Sequence, residues 1–383
     1  MRAAFFALVL VGCSFSASSP GTAPSDATSD SDPPIIDGAP LDGRVQPVCA
    51  GTFVNVCVDP PQMPVTLTTQ KIDTTNSTLC AAYSSQSTPD ACVIAGKSIT
   101  IPTGSTVTVV GNRKLILLAT DPTGSITISG TLDAAGHGKT SGPGSTGPCG
   151  AGAKSPTRNK TGGGGYGGSF GGPGNNGGNG ADSKGGTAAA AIVATTLLGG
   201  CPGSDGADNL IGSGGGDRGG GGGAVLLIAK TMINIDGVVN ASGGGGSNGS
   251  FGGGGGGGGS GGMIVLDATD TVSMLGKCFA NGGGGGEGAN GTGARDGGES
   301  KAPDQVGSGG QGGSQLGGDG GNGGFGTTGS LPGDNGARGT QQTGDGGGGG
   351  GGGGVGVIKM LGQNLPESDN AAKISPPPTS GGD

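Results

Sequence analysis

Ile126-Thr127-Ile128-Ser129-Gly130-Thr131-Leu132-Asp133-Ala134-Ala135-Gly136 recurs twice without gaps. The second copy is Ile233-Asn234-Ile235-Asp236-Gly237-Val238-Val239-Asn240-Ala241-Ser242-Gly243, and the third is Val272-Ser273-Met274-Leu275-Gly276-Lys277-Cys278-Phe279-Ala280-Asn281-Gly282. Apolar residues alternate with Thr, Asn or Ser, which puts one row of side chains inside and one outside a strand. Gly130, Gly237 and Gly276 share one position, a corner that needs positive φ or a close backbone approach. A short apolar run precedes each copy: Leu115–Ala119, Ala224–Ala229 and Met263–Ala268. An opening copy spans Ile99–Val110 and a truncated run spans Val355–Leu361. One copy cannot bury its own apolar row, but stacked copies can. The repeat therefore predicts an all-β fold, a right-handed parallel β-helix over 98–362. A flat β-sandwich with Gly loops is the alternative.

Between the copies lie Gly-rich segments, chiefly 136–223, 243–262 and 282–354. They hold most of the 101 Gly in 383 residues, far above the usual ~7%. Strict G-X-Y periodicity is missing, which excludes collagen. Two readings stand for these segments. They are flexible excursions, or extended polyglycine helices packed side by side where no Cβ fits. Apolar residues are 31% of the chain, too few and too clustered for two full globular cores.

Outward from the repeat, residues 49–97 read as a small disulfide-braced cap and 363–383 as a disordered tail. Apart from Cys13 there are seven cysteines, and nearest-neighbour pairing gives Cys49–Cys57, Cys80–Cys92 and Cys149–Cys201. This is one of several connectivities the sequence allows. Cys278 is left over, aligned with Leu132 and Val239 on the interior row, where a thiol acts as a small hydrophobe. With no close C-x-x-C pair and one His, His137, disulfides are favoured over zinc.

The N-terminus is a targeting segment. Residues 1–12 read as a signal peptide whose apolar run, Ala3–Val11, is too short to span a bilayer. Leu10-Val11-Gly12-Cys13 reads as a lipobox, with Cys13 carrying a diacylglycerol and residues 13–48 forming a Ser/Thr/Pro/Asp-rich disordered tether. The expected location is the bacterial outer membrane or cell surface, with the lipid anchor as the membrane contact.

The net charge is −8 and no basic run exists, so a nucleic-acid partner is not expected. Gly203-Ser204-Asp205-Gly206-Ala207-Asp208-Asn209-Leu210-Ile211 is an imperfect copy of a calcium-binding nonapeptide, and the next nine residues from Gly212 supply Asp217 in register but Gly219 where an apolar residue belongs; these one and a half copies give a weak calcium candidate at Asp205, Asp208 and Asp217, and a polar turn is the favoured reading. G-x-G-x-x-G recurs, but without the strand–turn–helix context of a dinucleotide site, and no cofactor is expected. Asp121, Asp133, Asp236, Asp267 and Asp270 are the acids in or beside the copies, and they do not recur as the paired carboxylates of a polysaccharide-cleaving site.

The lipobox, the tether, the early Cys pairs and copies such as Ser125-Ile126-Thr127-Ile128-Ser129-Gly130-Thr131-Leu132-Asp133-Ala134-Ala135-Gly136 and Gly261-Gly262-Met263-Ile264-Val265-Leu266-Asp267-Ala268 carry a resemblance. The chain resembles the Gly-rich surface lipoproteins predicted in myxobacteria, loosely PE-PGRS-like by composition. The resemblance covers most of 49–362 and implies architecture, with no activity to transfer. The expected function is a non-enzymatic structural or adhesive surface component, with cell-surface polysaccharide or matrix as partner. A polysaccharide-binding or polysaccharide-degrading protein and an ice- or surface-binding protein are the alternatives.

Overall fold

The computed structural model describes residues 46–81, 90–145, 149–150, 152–153, 155, 160–209, 214–331, 333–334, 345–366 and 373–380. The signal segment, Cys13 and residues 14–45 of the tether lie outside the described residues.

The described chain opens with a hairpin, β1 (Val48–Ala50) antiparallel to β2 (Val56–Val58), with Cys49 opposite and bonded to Cys57. Strands β3 (Val65–Thr66) and β4 (Gln70–Asp73), helix α1 (Thr78–Ala81) and strand β5 (Ala91–Gly96) follow. Strands then come in threes: β6 (Ile99–Ile101), β7 (Thr106–Val110) and β8 (Lys114–Ala119), then β9 (Ser125–Ile128), β10 (Thr131–Asp133) and β11 (Ala224–Ala229). The next sets are β12 (Met232–Ile235), β13 (Val238–Asn240) and β14 (Met263–Ala268), then β15 (Thr271–Met274), β16 (Lys277–Phe279) and β17 (Val357–Leu361). Two short strands close the chain, β18 (Ile374–Ser375) and β19 (Thr379–Ser380).

Each set sends one strand to each of three parallel sheets. Sheet I is β15-β12-β9-β6-β3, sheet II is β18-β16-β13-β10-β7-β4, and sheet III is β19-β17-β14-β11-β8-β5. The gapless alignment of the copies is also the structural register: Ile126 pairs with Ile233 and Ile233 with Val272 in sheet I, and Leu132 with Val239 and Val239 with Cys278 in sheet II. Two expected boundaries move. Strands β3, β4 and β5 pair in parallel with β6, β7 and β8, so the sheets begin inside 49–97 rather than at 98. Strands β18 and β19 pair with β16 and β17, so part of 363–383 is ordered sheet rather than a disordered tail.

Sheets I and II bury alternate residues, as half-buried strands do. Sheet III is buried on both faces in β5, β11 and β14, which explains their unbroken apolar runs. One face meets the main core, with Leu115, Leu117, Val225 and Leu227 packed near Ile126, Ile233 and Leu132. The other face, including Ile116, Leu118, Leu226 and Ile228, is covered by Val56 and Val58 of the hairpin and by Phe170 and Leu197. Asp267 of β14 pins the hairpin loop by accepting hydrogen bonds from the backbone N–H of Thr52 (2.5 Å) and Phe53 (2.8 Å). At the shared corner, a Cβ on Gly237 would strike the Gly130 carbonyl, and one on Gly276 would strike the Gly237 carbonyl; none of the three glycines has positive φ. The corner glycines thus serve close stacking.

All three long Gly-rich segments leave the chain at one place, between a sheet II strand and a sheet III strand. They form extended rods bonded to one another through the backbone with a period of three residues. The rod 252–262 shows the rule. Its N–H groups donate in rotation to three neighbours: Gly254, Gly257 and Ser260 to Ala207, Ser204 and Cys201; Gly255, Gly258 and Gly261 to Gly348, Gly351 and Gly354; Gly256, Gly259 and Gly262 to Ser247, Gly244 and Ala241. Its carbonyls accept from three others: from Gly162, Gly165 and Gly168; from Gly216, Gly219 and Gly222; and from Ala289, Gly286 and Gly283. These bonds are 2.8–3.0 Å long. A threefold extended helix projects three donors and three acceptors around its axis per turn, so each rod has room for six neighbours. At ~3.1 Å per residue the rod is about 30 Å long.

Glycine content follows the number of neighbours. The rods around Gly252–Gly259, Gly346–Gly354 and Gly282–Gly286 each bond six others and contain poly-Gly runs of five to nine residues. Rod 317–325 bonds four, and glycine fills two positions of three around Asp319 and Asn322. Rod 200–207 bonds three, and only Gly200, Gly203 and Gly206 recur; a Cβ on any of them would strike rod 252–262. Apart from Ser260, Glu287 and Ala289, the side chains of these rods stand where a neighbour is missing. Gly257→Ala in the central rod would aim its methyl at the Tyr166 carbonyl oxygen, whereas Gly291→Ala meets nothing within 4 Å. Overpacking usually costs ~1–3 kcal/mol, and more where backbone is the obstacle. Denaturant unfolding should show Gly257→Ala destabilised by more than ~3 kcal/mol and Gly291→Ala within ~0.5 kcal/mol of the parent; equal effects would refute the packing rule.

Candidate functional site

Cys80 and Cys92 are joined, as are Cys149 and Cys201, so with Cys49–Cys57 the three disulfides link sequence neighbours. Cys149–Cys201 ties residue 149 to the edge rod 200–207. Cys278 is a free, buried thiol in register with Val239, and burial pushes its pKa up to about 12. Desolvation keeps such a thiol neutral and unreactive.

The carboxylates of the calcium candidate have separate partners. Asp205 accepts from the Arg218 backbone N–H at 3.0 Å, Asp208 from the Gly215 N–H at 2.9 Å, and Asp217 from Lys139 Nζ at 3.2 Å. Among the described residues no group of three or more His, Cys, Asp or Glu is placed to hold a metal ion. The acids beside the repeats are likewise used locally. Asp121 binds the N–H and hydroxyl of Thr123, Asp236 accepts from Asn234, and Asp270 from Asn364.

Asp133 lies in the row of sheet II that faces away from the main core, Thr108–Asp133–Asn240–Phe279, of which Phe279 is buried, and it accepts from the Asn240 side chain at 3.2 Å. Its other oxygen lies 3.1 Å from His137 Nε2, while His137 Nδ1 lies 2.9 Å from Glu299. Glu299 also accepts from the Gly138 N–H at 2.9 Å. Hydrogen bonds to Asp133 and then Glu299 raise the His137 pKa to about 10, against opposing desolvation. Burial would raise Glu299, but its bonds to His137 and Gly138 outweigh that and hold it below the usual carboxylate value. Both imidazole nitrogens are committed, so His137 acts as a cationic clip fastening the segment around Glu299 to β10.

Glu287 is a residue that reading by composition misses. It is fully buried in a six-neighbour rod, and its carboxylate accepts from the backbone N–H of Arg295, Gly313 and Ser314 at 2.5–3.0 Å. Its partners lie up to 27 residues away, and the only local sign was a charge interrupting a poly-Gly run.

The outward row of sheet I is Thr66–Thr100–Thr127–Asn234–Ser273, three threonines followed by an amide and a hydroxyl. It is a polar ladder whose composition changes midway. Among the described residues no helix is long and apolar enough to cross a membrane. Compared with known proteins, the chain matches no family model, no curated protein and no solved structure.

The clip has a defined pH window. His137, with its raised pKa, stabilises the fold fully below its free value of ~6.5, and that stability is lost as pH rises through about 10. Glu299, with its lowered pKa, contributes above its free value and loses the contribution on acidification. His137→Gln should lower stability by ~1 kcal/mol or less near pH 6, the range for exposed ion pairs, with the difference vanishing above pH 10. Thermal melting of both proteins across pH 5–11 measures this; a difference that grows with alkalinity would contradict the clip.

Proposed function

We propose that the chain is a right-handed parallel β-helix, lipid-anchored through Cys13 on the bacterial outer membrane or cell surface, that serves as a non-enzymatic structural or adhesive component. The three-sheet cycle supports the solenoid, because each cycle returns the chain to sheet I one strand further along. Right-handedness follows from the strong preference of parallel crossovers for that hand. The resemblance to Gly-rich surface lipoproteins of the myxobacterial kind supports the location.

One observation carries the functional reading. The framework commits its backbone to itself and places polar side chains outward, in the rows of sheets I and II and along edge rods. Such a body suits holding a broad polar surface rigid, as contact with hydrated polysaccharide or matrix requires. The carboxylates beside the repeats are engaged in separate structural hydrogen bonds, which favours contact over cleavage.

Replacing Cys13 tests both halves. Cys13→Ala should leave the fold intact, release the protein from the membrane fraction and reduce attachment of the producing cells to matrix to the level of a deletion strain. Normal membrane retention of Cys13→Ala would contradict the anchor. Attachment unchanged in the deletion strain would contradict the adhesive role.

A further inference from the structure

We infer that the edge of the polyglycine array beside the Cys149–Cys201 disulfide is a binding groove for an acidic oligosaccharide, an inference that rests on the adhesive reading and names its ligand class. Two clefts adjoin there, of about 510 and about 280 Å³, and both are lined by Cys149 and Arg218. Sites of a few hundred Å³ suit small ligands or a few residues of a polymer.

The lining matches a sugar acid. Arg218 stands on the edge rod 214–223 with its side chain about half exposed, and its guanidinium approaches Asp205 only to 3.7 Å. That separation is an ion pair without a hydrogen bond, so the planar fork retains its donors. A guanidinium fork recognises a carboxylate by paired charge-assisted bonds. In the smaller cleft the half-buried ring of Tyr166 lies against glycine backbone: a Cβ on Gly152 would meet the ring at 2.8 Å and one on Gly186 at 3.2 Å. In the proposed groove the remaining exposed part of this ring would meet the C–H face of a pyranose. In the larger cleft, the hydroxyls of Thr140 and Ser141 and the amide of Asn112 have no side-chain hydrogen-bond partner among the described residues. Open donors and acceptors of both kinds are what sugar hydroxyls need. The groove therefore joins a carboxylate fork, an aromatic face and a run of uncommitted polar groups, all on a rigid support.

Asp205 competes with the ligand for Arg218, which provides a signature that a purely structural arginine would lack. Titration calorimetry of the purified protein with an oligogalacturonide hexamer and with its carboxyl-reduced, uncharged counterpart tests the assignment. The acidic hexamer should bind, and the reduced one at least tenfold more weakly. Arg218→Gln should weaken the acidic hexamer about 10–100-fold, in line with loss of charge-assisted bonds, and Tyr166→Ala should weaken both. Asp205→Asn should strengthen the acidic hexamer several-fold, with circular dichroism of each variant unchanged. Equal binding of the two hexamers, no binding by the parent protein, or Arg218→Gln and Asp205→Asn both matching the parent would each overturn the groove. If the groove fails while the deletion strain still loses attachment, the adhesive reading stands; if attachment is also unaffected, that reading fails independently.

Discussion

The structure depends on the backbone hydrogen bond between extended chains that approach too closely to admit a Cβ. In an ordinary domain, side chains fill the interior and backbone groups are satisfied within strands or helices. Among the described residues three rods are each bonded through the backbone to six others. Glycine loses more conformational freedom on ordering than any other residue, so the array is stable only where nearly every N–H and C=O finds a partner. Rod 252–262 meets that condition, with consecutive N–H groups from Gly254 to Gly262 all bonded. The parallel sheets bring the ends of the three Gly-rich segments to one corner and fix their relative register.

This division of labour locates the functional chemistry. A six-neighbour rod has no outward side, so its sequence is nearly silent. Edge rods have up to three open directions, and these hold Asp205, Asp217, Arg218 and Asp319. Exceptions inside the array are informative. Ser260 bonds the Cys201 backbone, its hydroxyl accepting from the N–H at 2.8 Å, and Glu287 binds three backbone donors. In each case the side chain accepts backbone N–H groups that no backbone carbonyl takes up. The polar surface of the molecule is thus held by a frame with little capacity to rearrange, which suits contact with an extended polymer.

Much of the sheet architecture was legible in the sequence because the period-2 alternation and the gapless alignment report register directly, down to Cys278 beside Val239. The limits of the repeat were not. Strands β3, β18 and β19 are two residues long, too short to show alternation, and their place is set by pairing with longer neighbours. The order of the Gly-rich segments was open on composition alone, since a flexible linker and a packed rod can share the same glycine content. The physical signal lay in the spacing: glycine at every third position, at two of three, or at all three reports how many sides of a rod are covered. The clip at His137 was not legible, because Glu299 is 162 residues away and meets it only through the packing of rods.

Amide hydrogen exchange resolved to single residues across Gly252–Gly262 tests the central claim most directly. If these residues form a six-neighbour rod, their amides should exchange as slowly as those of β11 and β14 and open only with global unfolding. Exchange at the rate of an unstructured chain, with the sheet strands still protected, would show that the glycine segments are not a backbone-bonded array and would contradict the account.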